Sequence, residues 1–349
     1  MKKNLPILTG LRFFAAFYVF IFHVNLRIPL DFLNTAFIPI ISIGAIGVNV
    51  FFILSGFILF YNYHDKSINY IAFILKRLAK IYPMYFAGFL LSFLVTKLTA
   101  TVVPDFFEIL MMNLILVQSY LPKFSMIWYG GGSWSIATEF FFYLCFPILL
   151  SFILKLSKYQ IISLTAICYL LSVIPGFLHN IGRMNLYLSY SFPPARIWEF
   201  VVGMLIACLI VKFKIKIKNF TIILSILSSI CYFHFYGRDL DGYVIQNIMI
   251  IPLMIVILVC ACTFKMSALI FLGWKPFEYL GKISYSFYII QIPIMLYLDS
   301  RNDLISFGCL EMFLVIFGVN LLGAIIGYHL IELPAHKYFN KKIQFTFAK

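Results

Sequence analysis

The sequence predicts an all-α, polytopic membrane protein of about ten transmembrane helices, and three observations carry that reading. The 349 residues are 63% hydrophobic and only 11% charged, whereas a soluble domain is nearer one-quarter charged. Mean hydropathy is +0.98. Apolar runs of about 20 residues, each long enough to cross ~30 Å of hydrocarbon, recur along the whole chain with the basic residues mostly between them. A single integral-membrane domain over 1–349 follows, with no linker, low-complexity tract or repeat of fixed period.

The spans fall near 8–27, 41–62, 78–97, 134–154, 159–178, 195–211, 219–236, 244–263, 283–299 and 306–330. Met1-Lys2-Lys3 resembles the basic start of a signal peptide, but Arg12 interrupts the apolar run and no small-residue cleavage site follows. The first span is therefore read as uncleaved. Asp105–Tyr120 is apolar but short, and the loop Leu121–Gly132 follows it. If that segment spans, the Lys212, Lys214, Lys216 and Lys218 cluster lies outside with Lys155 and Lys158. If it is re-entrant or interfacial near 105–120, nineteen basic residues lie inside and six outside, with Arg12 and Arg196 in the membrane. The positive-inside rule selects the second arrangement, with both termini cytoplasmic. Backbone that does not span must be covered by protein or a water-filled cavity at that depth, so a cavity is expected beside 105–133.

Net charge is +14. Positive-inside loops and attraction to anionic membrane lipid account for it, and no nucleic-acid partner is expected. The seven cysteines lie mostly within apolar runs and read as small buried hydrophobes. Cys260-Ala-Cys262 lacks zinc spacing and has no histidine nearby, so no metal site is expected.

Ionisable groups inside a bilayer are costly and mark functional sites. Arg12 and His23 share the first span, and eleven steps of ~100° return to within ~20° of the starting azimuth after a rise of ~16 Å. Both therefore face one side of a helix, Arg12 near the surface and His23 at mid-membrane. Glu139 follows Ser133-Trp134-Ser135 and has no local partner. It can meet His23 or Arg12 across helices, as an orienting carboxylate or as an interhelical salt bridge. Arg196 and Glu199 are an i,i+3 pair that either satisfies itself structurally or serves substrate. Lys76, Arg77 and Lys80 stand at the mouth of the third span, as membrane anchors or as a site for a polyphosphorylated ligand. In Gly47–Phe57, Asn49 either packs or lines a polar cavity, and the small residues suit close helix crossings. By spacing alone, Gly281–Ser286 and Ile331-Glu332-Leu333-Pro334 say only that one helix begins and another ends.

Taken in order, these stretches resemble the membrane-bound acyltransferase-3 family. They are Leu8–Ala16 with the Arg12-ten-residues-His23 spacing, Gly47–Phe57, Arg77-Leu78-Ala79-Lys80-Ile81-Tyr82-Pro83, Trp134-Ser135-Ile136-Ala137-Thr138-Glu139, Pro194–Gly203, and Gly281-Lys282-Ile283-Ser284-Tyr285-Ser286. The resemblance implies about ten spans in a bacterial inner membrane. It implies transfer of an acetyl or short acyl group from acetyl-CoA, a donor substrate and not a resident cofactor, to a hydroxyl of a cell-surface glycan or lipid-linked sugar. Some members of the family act on macrolides. Some also carry an extracytoplasmic esterase-like domain, and the expectation here is a standalone enzyme; a homo-oligomer is compatible with it. The implied catalytic set is His23, Arg12 and Glu139, and the donor-binding set is Arg77, Lys80, Lys76 and Tyr82. Trp134, Ser135, Arg196, Glu199, Asn49 and Tyr285 are expected to bind substrate or hold structure. Two departures stand out. Lys80 replaces an arginine, which keeps charge and loses bidentate geometry. Gln291 stands near the position of a common histidine and is given no catalytic role. A proton-coupled exporter of a sugar or lipid-linked metabolite is the competing class, since intramembrane Arg, His and Glu suit it too. Against it, no inverted repeat is evident.

Overall fold

Among the described residues, ten helices of 17–29 residues correspond to the predicted spans; seven apolar helices are long enough to cross a membrane and two shorter ones are apolar as well. They are α1 (Pro6–Asn25), α2 (Gly47–Tyr63), α3 (Tyr70–Leu98), α5 (Gly130–Ile153), α6 (Lys158–Asn180), α7 (Pro193–Phe213), α8 (Phe220–Tyr236), α9 (Asn247–Thr263), α10 (Lys275–Asp299) and α11 (Cys309–Gly327). A short helix, α4 (Phe106–Leu114), precedes α5, and an amphipathic helix, α12 (Leu333–Phe347), follows α11. The computed structural model describes residues 5–30, 32–125, 129–218, 220–236, 243–263, 269–301 and 308–347, and no strand occurs among them.

α4 settles the difficult segment. Its nine residues rise ~14 Å, less than half the ~30 Å of hydrocarbon, so it does not cross. Side chains satisfy its end. Tyr82 donates to the Leu114 carbonyl at 2.9 Å and Tyr85 to that of Asn113 at 2.8 Å. Gln118 Nε2 donates to the Ser133 carbonyl at 3.1 Å, joining the following turn to α5. The requirement that non-spanning backbone be covered is met here by protein.

Two boundaries differ from the sequence reading. α10 starts at Lys275, so Gly281–Ser286 lies inside a helix and does not begin one. Ile331-Glu332-Leu333-Pro334 does not end the chain's last helix. Tyr328–Glu332 forms a π-helical turn, and Pro334, tolerated in a first helical turn, lets α12 continue.

Glycines set the closest crossings. A Cβ on Gly56 of α2 would meet the Phe200 carbonyl oxygen at 1.9 Å, and one on Gly203 of α7 would meet that of Ile53 at 2.0 Å. The two backbones touch reciprocally, as small residues permit in membranes. The same device joins α1 to α10, where a Cβ on Gly281 would lie 1.9 Å from the Thr9 carbonyl oxygen. That contact sets Arg12, one turn further along α1, against the Tyr285 level of α10. Because backbone cannot yield as a side chain can, Gly203→Val is expected to cost about 3 kcal/mol. Loss of the monodisperse species on detergent size exclusion, with a lowered melting temperature, would show it.

Candidate active site

Arg12 of α1, Ser55 of α2, Arg77 and Lys80 of α3, Glu139 and Tyr143 of α5, and Tyr285 and Tyr288 of α10 line one narrow cavity of about 80 Å³. Tyr70 begins α3 some two turns earlier than the span alone suggested, so Arg77 and Lys80 lie within the helix and turn inward. Glu139 Oε1 accepts from Ser55 Oγ at 2.9 Å and from the Tyr143 hydroxyl at 2.5 Å. Tyr143 is the i+4 neighbour of Glu139 on α5, and it is a signal that sequence reading overlooked. Arg77 lies over the rings of Tyr63 and Phe73 at 5.8 and 5.5 Å, and its Nε is buried without a hydrogen-bond partner. Among the described residues, none of Arg12, Arg77 and Lys80 forms an ion pair. Lys80 feels the fields of Arg12, Arg77, Glu139 and Glu332. Arg12, Arg77 and Lys80 face one lining carboxylate, Glu139, and the buried guanidinium edge of Arg77 offers donors to an anion.

Glu332 is a second group that sequence reading missed. It is 7% exposed and accepts from Ser286 Oγ at 2.7 Å. The two motifs that spacing left mute therefore meet, brought together by the π-turn.

His23 lies elsewhere. It lines a cleft of about 710 Å³ with Arg27 of the α1 C-terminus, Thr96 and Thr99 of α3 and its end, Tyr190, Tyr243, and Asp299 of α10. Arg12 and His23 share a helix, as the spacing predicts, but they open into different cavities toward opposite ends of the bundle. Glu139 belongs to the Arg12 slot and not to the His23 cleft. Of the two partners the sequence offers Glu139, the structure places Arg12 in the same cavity and His23 in the other.

Gln291 stands there instead. Its side-chain amide approaches the His23 ring, although neither amide atom of Gln291 nor His23 Nδ1 completes a well-aligned hydrogen bond, and all three are buried. Nδ1 is buried without a partner, which leaves Nε2 as the ring nitrogen for the cleft. One turn of α10 earlier, the Tyr288 hydroxyl sits 2.9 Å from Ser135 Oγ, and both donate to the Gly132 carbonyl at 3.1 Å. Tyr288 lines the slot and Ile292 the cleft, so about 6 Å of α10 separates the two cavities along the helix axis.

Other sequence candidates fall outside both cavities. Tyr82 donates to the Leu114 carbonyl and tethers α4. Lys76 lines a third cavity and not the slot, ~100° around α3 from Arg77. Asn49, Arg196 and Glu199 form a fully buried network. Arg196 Nε donates to Glu199 Oε1 at 2.8 Å and NH2 to Asn49 Oδ1 at 2.6 Å. Asn247 Nδ2 donates to Glu199 Oε1 at 3.0 Å. Trp134 is 1% exposed and packs against Tyr190, its ring also under the Arg196 guanidinium at 5.8 Å. These residues hold the helices that carry the site. No group of His, Cys, Asp and Glu suited to a metal ion occurs among the described residues.

A family model described as an acyltransferase domain, acyltransferase-3, matches residues 5–329. The chain belongs to the acyltransferase-3 family. It is 34% identical to the acyltransferase MdmB of Streptomyces mycarofaciens over 224 residues, covering 59% of this chain and 58% of the relative. It is 25% identical to the O-acetyltransferase OatA of Staphylococcus aureus over 369 aligned positions, covering 96% of this chain and 58% of that protein. The putative peptidoglycan O-acetyltransferase YrhL of Bacillus subtilis is 24% identical, covering 95% of this chain and 55% of the relative. The chain thus spans somewhat more than half the length of these relatives. No solved structure matches it.

Proposed function

We propose that the protein transfers an acetyl or other short acyl group from acyl-CoA to a hydroxyl of a cell-surface glycan or lipid-linked sugar, in the bacterial inner membrane. The observation that carries this reading is the pair of cavities at opposite ends of α1, a cation-lined slot and a wide, largely apolar cleft that carries His23 and a few polar side chains, separated by one turn of α10. The positive-inside bias puts the slot on the cytoplasmic side, where acyl-CoA is found. The slot is narrow, at about 80 Å³, and Arg12, Arg77 and Lys80 line it. The cleft, at about 710 Å³, is of small-molecule site size, and its threonines, Tyr190, Tyr243, Arg27 and Asp299 suit a polyhydroxyl acceptor. The relatives named as O-acetyltransferases support transfer to oxygen.

In this mechanism Arg77 and Lys80 hold the anionic end of the donor and Arg12 its polar arm. The thioester passes the Tyr288–Ser135 contact to reach His23. Neutral His23 takes the proton from the acceptor hydroxyl through Nε2 as the oxygen attacks the thioester carbonyl. The C–S bond breaks, an ester forms, and the proton passes from His23 to the departing CoA thiolate. A route through an acyl-histidine uses the same two cavities in two steps.

Gln291 positions the ring. Gln291→Leu is expected to lower kcat about tenfold, as removing a group that orients a histidine does, with KM for acetyl-CoA unchanged. Restoration of the rate by Gln291→His distinguishes an orienting amide from a packing residue.

The deciding experiment is label transfer from radioactive acetyl-CoA in membranes with and without the protein, in sealed vesicles of both orientations. Label entering glycan or lipid-linked material only when acetyl-CoA meets the Lys-rich face is expected. No protein-dependent label, with the protein folded and abundant, would overturn the acyl-CoA reading.

A further inference from the structure

The slot that takes the arm of the donor leaves its bulkiest part unplaced. Arg77 and Lys80 face that slot, and a volume of about 80 Å³ cannot also enclose a purine nucleotide. A third cavity, of about 290 Å³, stands beside it. Tyr63, Asn69, Phe73 and Lys76 form one wall, and Gln344 and Phe347 of α12 form the other.

The two cavities share a partition. Tyr63 and Phe73 line the third cavity while the Arg77 guanidinium, which faces the slot, lies over both of their rings and its NH2 meets the Tyr63 hydroxyl at 3.4 Å. Consecutive residues of α3 therefore serve adjoining spaces, Lys76 one and Arg77 the other. α12 runs back along the start of α3, with His336 in the field of Arg77 and Lys80 and Ile343 packed on Ala72 and Ala79. Phe347 is thereby brought to the Asn69–Phe73 turn.

The cavity wall has three recognition elements. Phe347 offers a π-face, and a purine stacks on such a face without regard to hydrogen-bond pattern; Tyr63 and Phe73, already covered by Arg77 and packed on Phe146, close the wall behind it. Asn69 Oδ1 is taken by the Ala72 N–H at 3.0 Å, capping α3, which leaves its amide N–H₂ to donate, and Gln344 offers both a donor and an acceptor. Lys76 supplies a point charge for a phosphate, and among the described residues it has no ion-pair partner.

We infer that this cavity between α3 and α12 binds the 3′-phosphoadenosine end of the CoA donor, with the pyrophosphate crossing the Tyr63–Phe73 partition to Arg77. The inference rests on the acyl-CoA reading and adds to it, because α12 lies beyond residues 5–329 that match the family.

The test is displacement of radioactive CoA by adenosine 3′,5′-bisphosphate from the full chain in phosphatidylcholine nanodiscs. Wild type, Phe347→Ala and Gln344→Ala are compared, with acetyl-phosphopantetheine as the donor lacking the nucleoside. Phe347 is 37% exposed at the end of α12, so its truncation leaves the fold intact, and an unchanged melting temperature controls for this. The bisphosphate is expected to compete in wild type, and Phe347→Ala is expected to weaken competition about tenfold, the size of one lost base–aromatic stack. The ratio of kcat/KM for acetyl-CoA over acetyl-phosphopantetheine should fall by the same factor. CoA binding and donor preference equal to wild type in both variants would overturn the subsite and leave the donor reading standing. Wild type that binds no CoA would overturn both. Insensitivity to the bisphosphate, with the variants altering affinity for phosphatidylglycerol nanodiscs instead, would make the cavity a lipid-phosphate site and overturn the nucleotide assignment.

Discussion

His23→Ala is expected to reduce acyl transfer by about 10²–10⁴-fold, the range over which a positioned proton acceptor contributes. Affinity for acyl-CoA should be unchanged. The split follows from the two cavities: Arg12, Arg77 and Lys80 line the slot, whereas His23 lines only the cleft. A residue needed only in the transition state lowers kcat and kcat/KM equally, while one that holds the donor in the ground state raises KM. Arg77→Leu is therefore the natural contrast, and a raised KM for acetyl-CoA is expected of it. Steady-state transfer rates together with equilibrium CoA binding, measured on both variants, separate the two roles. Wild-type activity in His23→Ala would sink the general-base and acyl-histidine routes together.

The ten spans, the non-crossing segment and the Arg12–His23 register were legible because each depends on period, length and charge, which are local properties of a chain in a bilayer. What faces that register was not. Helical geometry aligns Arg12 with His23, but only the packing of α3, α5 and α10 decides that they open into separate spaces. Sequence leaves Glu139 either His23 or Arg12 as a partner, and its level on α5 decides between them by setting it beside Ser55 in the Arg12 slot. Sequence groups Lys76 and Tyr82 with Arg77 and Lys80, but Lys76 lines the adjoining α3–α12 cavity and Tyr82 tethers α4, which spacing does not distinguish. Gln291 and Glu332 carried no motif of their own. Gln291 matters because an amide with unpaired atoms lies against His23, and Glu332 because a π-turn swings it to Ser286. Both are tertiary facts, invisible to spacing.

The largest loss of stability is expected from Arg196→Met. Arg196 and Glu199 are completely buried as an ion pair 2.8 Å apart. Arg196 also reaches the Tyr190 carbonyl and Asn49 Oδ1, so α2 and the turn before α7 are held by one guanidinium. Asn247 carries the network on to α9 and, by donating to the Ser172 carbonyl at 3.1 Å, to α6. Glu199 Oε2 has no hydrogen-bond partner, so its carboxylate depends on Arg196 and Asn247 alone. Removing the arginine strands a carboxylate in a dry interior, at a cost of about 3–5 kcal/mol. Arg196→Met/Glu199→Leu removes the stranded charge as well and is expected to be markedly more stable than Arg196→Met. Thermal and denaturant unfolding in detergent, run on the two single variants and the double, measures this coupling. The network also reaches function through one residue, since Tyr190, whose carbonyl Arg196 holds, lines the His23 cleft. The double variant should therefore regain stability while its KM for the acceptor stays raised and that for the donor does not. Equal stability in Arg196→Met and wild type would show that the pair carries no such burden, and the four-helix joint would have to be credited to the glycine contacts instead.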